Sequence, residues 1–267
     1  MTKYLFITLF FTIFFNVNAQ DSISSRKNIA VVPFMPHMYF NDLSRLWYKT
    51  GESICQEKQL KEISKHVFDN LTDSLTATYN LLDLNQDRTI STTDYLLQFY
   101  QNIKITYADT FPQKEQKTKW VKTSNKKHTR SKGRYQGEIK SEKKDRNYQF
   151  LNSQIINNRE FRKNCAELEL DEVLFINQLE IRGDFFSPYN SGQETDYYVI
   201  IHYSLYNKNG KLILGNKTLH TTTDEKARYI HFLDHDLKLA VNEINHAILD
   251  INRDNLTKLK KGQAPNS

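Results

Sequence analysis

Two stretches of this 267-residue chain bring together side chains that could hold a metal ion. In "DLNQDRTISTTD", Asp83, Asn85, Asp87, Thr89 and Asp94 fall at positions 1, 3, 5, 7 and 12 of a loop, the spacing at which oxygen ligands wrap calcium. The sixth position of such a loop turns sharply and favours glycine. Arg88 occupies it here. Holding a non-glycine residue in the left-handed region costs about 1–2 kcal/mol, and a guanidinium beside the cation repels it. The same letters read as a strand end, a turn and a helix capped by Ser91 or Thr92. Arg88 favours that second reading.

In "HFLDHD", His231 and His235 are four residues apart, so a helix would set both imidazoles on one face as zinc ligands. A zinc-protease helix needs glutamate directly after the first histidine, and Phe232 stands there. Asp234 or Asp236 would equally cap the helix that follows, which accounts for the motif without a metal. Nothing else assembles into a catalytic pattern. No G-x-S-x-G elbow occurs, Gly51 stands alone where a phosphate cradle needs several glycines, and His37 has no partner nearby in sequence. No catalytic residue and no cofactor is assigned, and the chain reads as non-catalytic.

The elements that would position these residues follow from periodicity. "NIAVVPF", Asn28 to Phe34, is a continuous apolar run and reads as a buried strand. Leu60, Ile63, Val67, Leu71 and Leu75 recur at intervals of three and four, one stripe of a helix over about 55–78. "YNLLDL" follows as a strand and "TDYLLQFYQNI" as a helix. This β-α-β opening predicts two neighbouring parallel strands. Farther on, Phe150 to Glu167 reads as a helix. "EVLFINQLEI" alternates so as to put Val173, Phe175, Leu179 and Ile181 on one face. Tyr197, Val199, Ile201, Tyr203 and Leu205 share a face, and "NKNG" turns the chain into a partner strand from Lys211. Leu233, Leu237, Ala240, Ile244, Ala247 and Ile251 stripe a last helix. The expected fold is α/β: a single mixed β-sheet with packed helices, in the order β-α-β-α-(basic insertion)-α-β-β-β-α.

The first 19 residues, with one lysine before an apolar run from Tyr4 to Phe15, read as a secretory signal peptide. The run is short for a membrane span, so the mature chain should start near Gln20, exported, periplasmic or outer-envelope associated. In that oxidising setting Cys55 and Cys165 either pair or remain isolated buried thiols. Residues 20–113 and 148–252 form the two halves of one domain, and 253–267 form a polar tail.

Between the halves lies a basic segment, 114–147. From Lys114 to Arg146 there are thirteen Lys or Arg against four acids, a net charge of +9 in a chain whose total is +6. With few apolar residues it reads as an insertion without a core of its own. Lys119, Lys122, Lys126, Lys127, Arg130, Lys132 and Arg134 are candidate contacts to an anionic envelope polymer. An exported chain rarely meets nucleic acid, which excludes that partner class. Met38, Tyr39, Phe40, Trp47 and Tyr48 crowd one loop after the first strand. They either cover the core or form a recognition surface for an envelope protein. A homo-oligomer is also open to the chain.

"IAVVPF" (Ile29 to Phe34), the amphipathic helix after it, the later strand "LDEVLFINQLEI" and the hairpin from Leu205 to Leu212 resemble one fold. It is the small periplasmic α/β domain of the curli secretion pore protein, the N-terminal domain of the TolB envelope protein, and lipoprotein activators of penicillin-binding proteins. The resemblance implies a non-catalytic envelope protein that works through contacts. The chain departs from that group in lacking a lipid-acceptor cysteine, in carrying the basic insertion and in showing no pore-forming segments.

Overall fold

The computed structural model describes residues 26–49, 51, 55–84, 90–111, 149–183, 195–224 and 228–260. The first 25 residues, the basic segment with Lys119, Lys122, Lys126, Lys127, Arg130, Lys132 and Arg134, and the loop residues Asn85, Asp87 and Thr89 lie outside them.

The elements in chain order are β1 (Lys27–Val32), β2 (Tyr39–Asn41), α1 (Ser44–Lys49), α2 (Gln56–Leu75), β3 (Tyr79–Asp83), α3 (Ile90–Gln101) and β4 (Ile103–Asp109). After the basic segment come β5 (Gln149–Ile155), α4 (Asn158–Glu167), β6 (Glu172–Gly183), β7 (Thr195–Asn207), β8 (Leu212–Lys217), β9 (His220–Asp224) and α5 (Leu237–Lys260). A helical turn at Tyr229–His231 and a π-helical turn at Phe232–Asp236 run into α5.

β6 and β7 are antiparallel neighbours at the centre of a seven-stranded sheet. Two short parallel strands, β1 and then β2, share the outer edge of β6, while β8 and β9 share the outer edge of β7. β3 extends the sheet beyond β1, parallel to it, as the β-α-β opening predicts. The sheet is thus mixed, with helices packed on it. One face meets the predicted stripe of α2 and that of α5: Ile63, Val67, Leu71, Leu75, Leu237, Ala240 and Ile244 pack against Ile29, Val31 and the Tyr197–Leu205 face of β7. The other face meets α3 and α4 through a ring cluster of Phe99, Phe161, Phe175 and Tyr206. Both cysteines are free thiols. Cys55 is exposed ahead of α2, and Cys165 is buried in this second cluster.

Three expectations require correction. The helix expected over Phe150–Glu167 is divided into β5 and α4. Asn157 begins α4, its side-chain oxygen accepting from the Glu160 backbone N–H, and the residues before it pair antiparallel with β4 from Ile103↔Ile155 to Asp109↔Gln149. This ribbon forms a second, two-stranded sheet. Long-range pairing overrides local helical preference here. Secondly, Val173 and Phe175 do not share a face with Leu179 and Ile181. A β-bulge between Ile176 and Gln178 shifts the register, so Leu179 and Ile181 join the α2/α5 core while Val173 and Phe175 enter the other. Thirdly, helix α5 continues through residues 253–260, past the expected domain end. Asn252 is its last tie to the sheet, bonded to Tyr79 and to Lys27, whose ammonium pairs with Glu172 at 2.5 Å.

The ribbon does not extend the sheet edge-on. It lies against the β6–β7 face, where its backbone groups meet side chains. The Leu151 N–H donates to His202 Nδ1 (2.9 Å), the Ser153 N–H donates to Ser204 Oγ (3.3 Å), and Asn177 Nδ2 donates to the Leu151 carbonyl (2.6 Å). Asn177 also bonds Ser153 and Ser204. The bulge makes room for this asparagine. Beyond β4, Phe111 exchanges both backbone bonds with Gly215 at 2.7 Å. A Cβ at Gly215 would stand 2.2 Å from the Phe150 ring.

Gly215→Ala should therefore destabilise the protein by about 1–3 kcal/mol through overpacking. The check is a lower urea midpoint with an unchanged slope.

Candidate functional site

The aromatic loop after β1 is ordered by its own backbone chemistry. Asn41 Oδ1 accepts from the Leu43 N–H at 2.8 Å, the Asp42 N–H donates to the Ile181 carbonyl, and α1 starts at Ser44. Tyr39, Leu43 and Trp47 recur every four residues and turn into the core. Trp47 packs edge-on to Tyr229 at 4.9 Å and lies 5.6 Å from Phe232. Met38 is half-buried against the same core. Of the five residues expected to meet a partner, Tyr39 and Trp47 are therefore core residues, and Phe40 (42% exposed) and Tyr48 (71% exposed) remain on the surface.

These two rings flank a groove of about 500 Å³ whose lining includes Asn41, Asp42, Gln56 and Gln59. Its floor is polar and fixed. The Tyr39 hydroxyl accepts from Asn41 Nδ2 at 2.9 Å and faces Gln59 Oε1 at 3.5 Å. Burial pushes the Tyr39 phenol far above its ordinary range, so it remains a neutral donor. The groove can take a side chain with both an apolar body and a hydrogen-bonding group.

Behind Phe40 the sheet carries charge. The Arg182 guanidinium lies 5.6 Å from the centre of the Phe40 ring and bonds Glu180 at 2.8 Å. His202, buried, faces Glu180 with Nε2 at 3.6 Å. Because its Nδ1 accepts from Leu151, the proton is assigned to Nε2. The imidazole of His202 and the guanidinium of Arg182 hold the Glu180 carboxyl below its usual range against the opposing effect of burial. With Nδ1 engaged and Nε2–H turned to a carboxylate, His202 positions the ribbon and has no lone pair free for base chemistry. Cys165 is likewise no nucleophile, since burial pushes its thiol up to about 12.

The two metal motifs fare differently. Asp83 is buried at the end of β3, and Asp94 is exposed on α3. That helix begins at Ile90, so neither Ser91 nor Thr92 is the residue preceding it. The histidine motif is brought together. Asp236 is not an N-cap. It is fully buried within a continuous helical run that began at Tyr229, and Asp234 lies inside the same run, exposed, with His66 Nε2 at 3.9 Å. Asp236 accepts from the Tyr197 hydroxyl and from His235 Nδ1 at 3.0 Å, with His231 Nδ1 at 3.4 Å and His220 Nε2 at 3.6 Å. Burial of Asp236 was readable in outline: it stands three residues after Leu233 and four before Ala240, on the apolar stripe. His220 comes from β9, far off in sequence, and had no local signal. Neither a protein-family model nor a curated protein matches the chain.

Trp47→Ala should cost about 3–5 kcal/mol, whereas Tyr48→Ala should stay within about 0.5 kcal/mol of wild type. Urea denaturation of the pair separates the anchoring ring from the exposed one. The depressed Glu180 pKa carries a pH signature too. Its stabilising contribution is present above the unfolded carboxylate pKa of about 4.3 and is lost as pH falls through the folded value. The gap in urea midpoint between wild type and Glu180→Gln should be open at about pH 7 and close towards about pH 3.

Proposed function

We propose that the chain is an exported, non-catalytic protein of the cell envelope, periplasmic or outer-envelope associated, that acts as an adaptor for another envelope protein. The observation that carries this reading is the division of labour within one loop. Tyr39, Leu43 and Trp47 fix the loop to the core, and that leaves Phe40 and Tyr48 exposed on either side of a groove with a polar floor. Exposed aromatic rings on a rigid support lose little conformational entropy on binding. Arg182 beside Phe40 adds a cation at the rim.

The ribbon adds a second support. Asp109 and Gln149 are paired, so the +9 segment leaves and re-enters the fold at one place. Its charge favours an anionic surface as the second partner and gives the adaptor long-range attraction that salt screens. The mixed sheet with packed helices is compatible with the periplasmic α/β domain that the first strand and the "NKNG" hairpin resemble. No helix among the described residues is long and apolar enough to cross a membrane.

Affinity capture from envelope extract tests the reading. Wild-type protein should retain a partner that Phe40→Ser/Tyr48→Ser loses while melting within a few degrees of wild type. Capture unaffected by the double substitution would remove the groove from the function. Deleting residues 114–146 should abolish salt-sensitive retention in envelope fractions and leave groove-dependent capture intact.

A further inference from the structure

We infer that the junction between β9 and the C-terminal helix is a divalent transition-metal site of the zinc type, built from His231, His235 and Asp236 with His220 as the fourth group. One ligand atom from each of His231, His235 and Asp236 lies within 4.8 Å of the others. The three imidazole nitrogens stand 3.4, 3.0 and 3.6 Å from the Asp236 oxygens. Zinc bonds of about 2.0–2.2 Å in a tetrahedron set neighbouring ligand atoms about 3.3–3.6 Å apart. The distances from Asp236 to His231 and His220 fall in that range, the one to His235 is shorter at 3.0 Å, and the edges between the imidazoles close by small side-chain rotations.

The backbone is shaped for this. On a regular α-helix, Asp236 would point about 140° away from His231. The π-helical turn at Phe232–Asp236, with its wider i→i+5 repeat, sets His231, His235 and Asp236 on one side. Such turns concentrate at functional sites because they weaken the helix ladder. The burial pattern also suits an ion that enters from solvent. Asp236 is completely buried, while the side chains of His231 and His235 are 42% and 58% exposed.

Two polar groups here would gain from a cation. A wholly buried carboxylate is costly unless it is paired and hydrogen-bonded, and an ion held by the same imidazoles would add a positive charge beside it. His220 Nε2 is buried without a hydrogen-bond partner among the described residues, 3.6 Å from the Asp236 carboxylate. The Tyr197 hydroxyl on Asp236 is the outer-sphere bond that holds a ligating carboxylate in orientation. A bound ion would tie β9, an edge strand, to the start of α5, and so would stabilise the folded chain by mass action.

The test uses the purified chain stripped with chelator and titrated with Zn²⁺ by calorimetry and with Co²⁺ by visible absorption. The expected result is one equivalent bound, an intense tetrahedral Co²⁺ spectrum, and a melting temperature that rises with free Zn²⁺. His231→Ala/His235→Ala changes only exposed side chains and should stay folded by circular dichroism, yet weaken binding at least 100-fold. Tyr197→Phe should weaken it about 10- to 100-fold. Absence of stoichiometric binding by the wild-type chain overturns the inference. So does binding that the double substitution leaves unchanged, because the ion would then sit on another of the eight histidines.

Discussion

A strand laid on the face of a sheet has backbone groups that no neighbouring strand can satisfy, and the second layer of this fold rests on how that is solved. The outer edge of β5 meets His202, Ser204 and Asn177 where a ladder would otherwise stand. Each buried polar group left unmet would cost about 1–3 kcal/mol, so these three side chains decide whether the ribbon can dock at all. Their chemistry propagates outward. The tautomer of His202 follows from accepting the Leu151 N–H, and that tautomer turns a proton towards Glu180, which in turn orients Arg182 over Phe40. A buried backbone requirement is thus connected, bond by bond, to a surface ring beside the groove.

The β6 bulge has a double role. It makes space for Asn177 under the ribbon, and it also reverses the inward face of the strand halfway along. Before it, Val173 and Phe175 meet the α3/α4 layer while Leu174 and Ile176 meet the α2/α5 layer; after it, Leu179 and Ile181 take the α2/α5 side. The inserted residue exchanges which of the alternating positions meets which core. Ahead of α5 a π-helical turn likewise breaks the regular repeat, and Asp236 within it bonds Tyr197.

Where a repeating pattern or a tight turn sets the element, the letters and the structure agree. The α2 stripe, the buried face of β7, the "NKNG" turn with Gly210 at φ +80° and the parallel β1–β3 pair were all legible. The alternation of Ile103, Ile105 and Tyr107 in "IKITYAD" also signals β4, which begins at the last residue of the expected helix "TDYLLQFYQNI". The bulge was invisible, because its reason, Ser153 and Leu151, stands more than twenty residues away. In the aromatic loop, spacing alone does not separate Trp47 from Tyr48. Contact with Tyr229 and Phe232 from the far end of the chain does. The histidine pair is plain in the letters, but the helical run starts at Tyr229 and passes through Asp236 instead of being capped by it.

The closed base of the β4–β5 ribbon has a further meaning for how this protein can change. Asp109 and Gln149 are paired at the base of the ribbon, and each doubling of a loop's length adds only about 0.6 kcal/mol of closure entropy. The ribbon is therefore a permissive splice point, at which length and charge can drift by insertion and deletion almost independently of the core. Lineages could retune the reach and polarity of this appendage without renegotiating the fold, and a reporter domain grafted there should be carried as readily as the native segment.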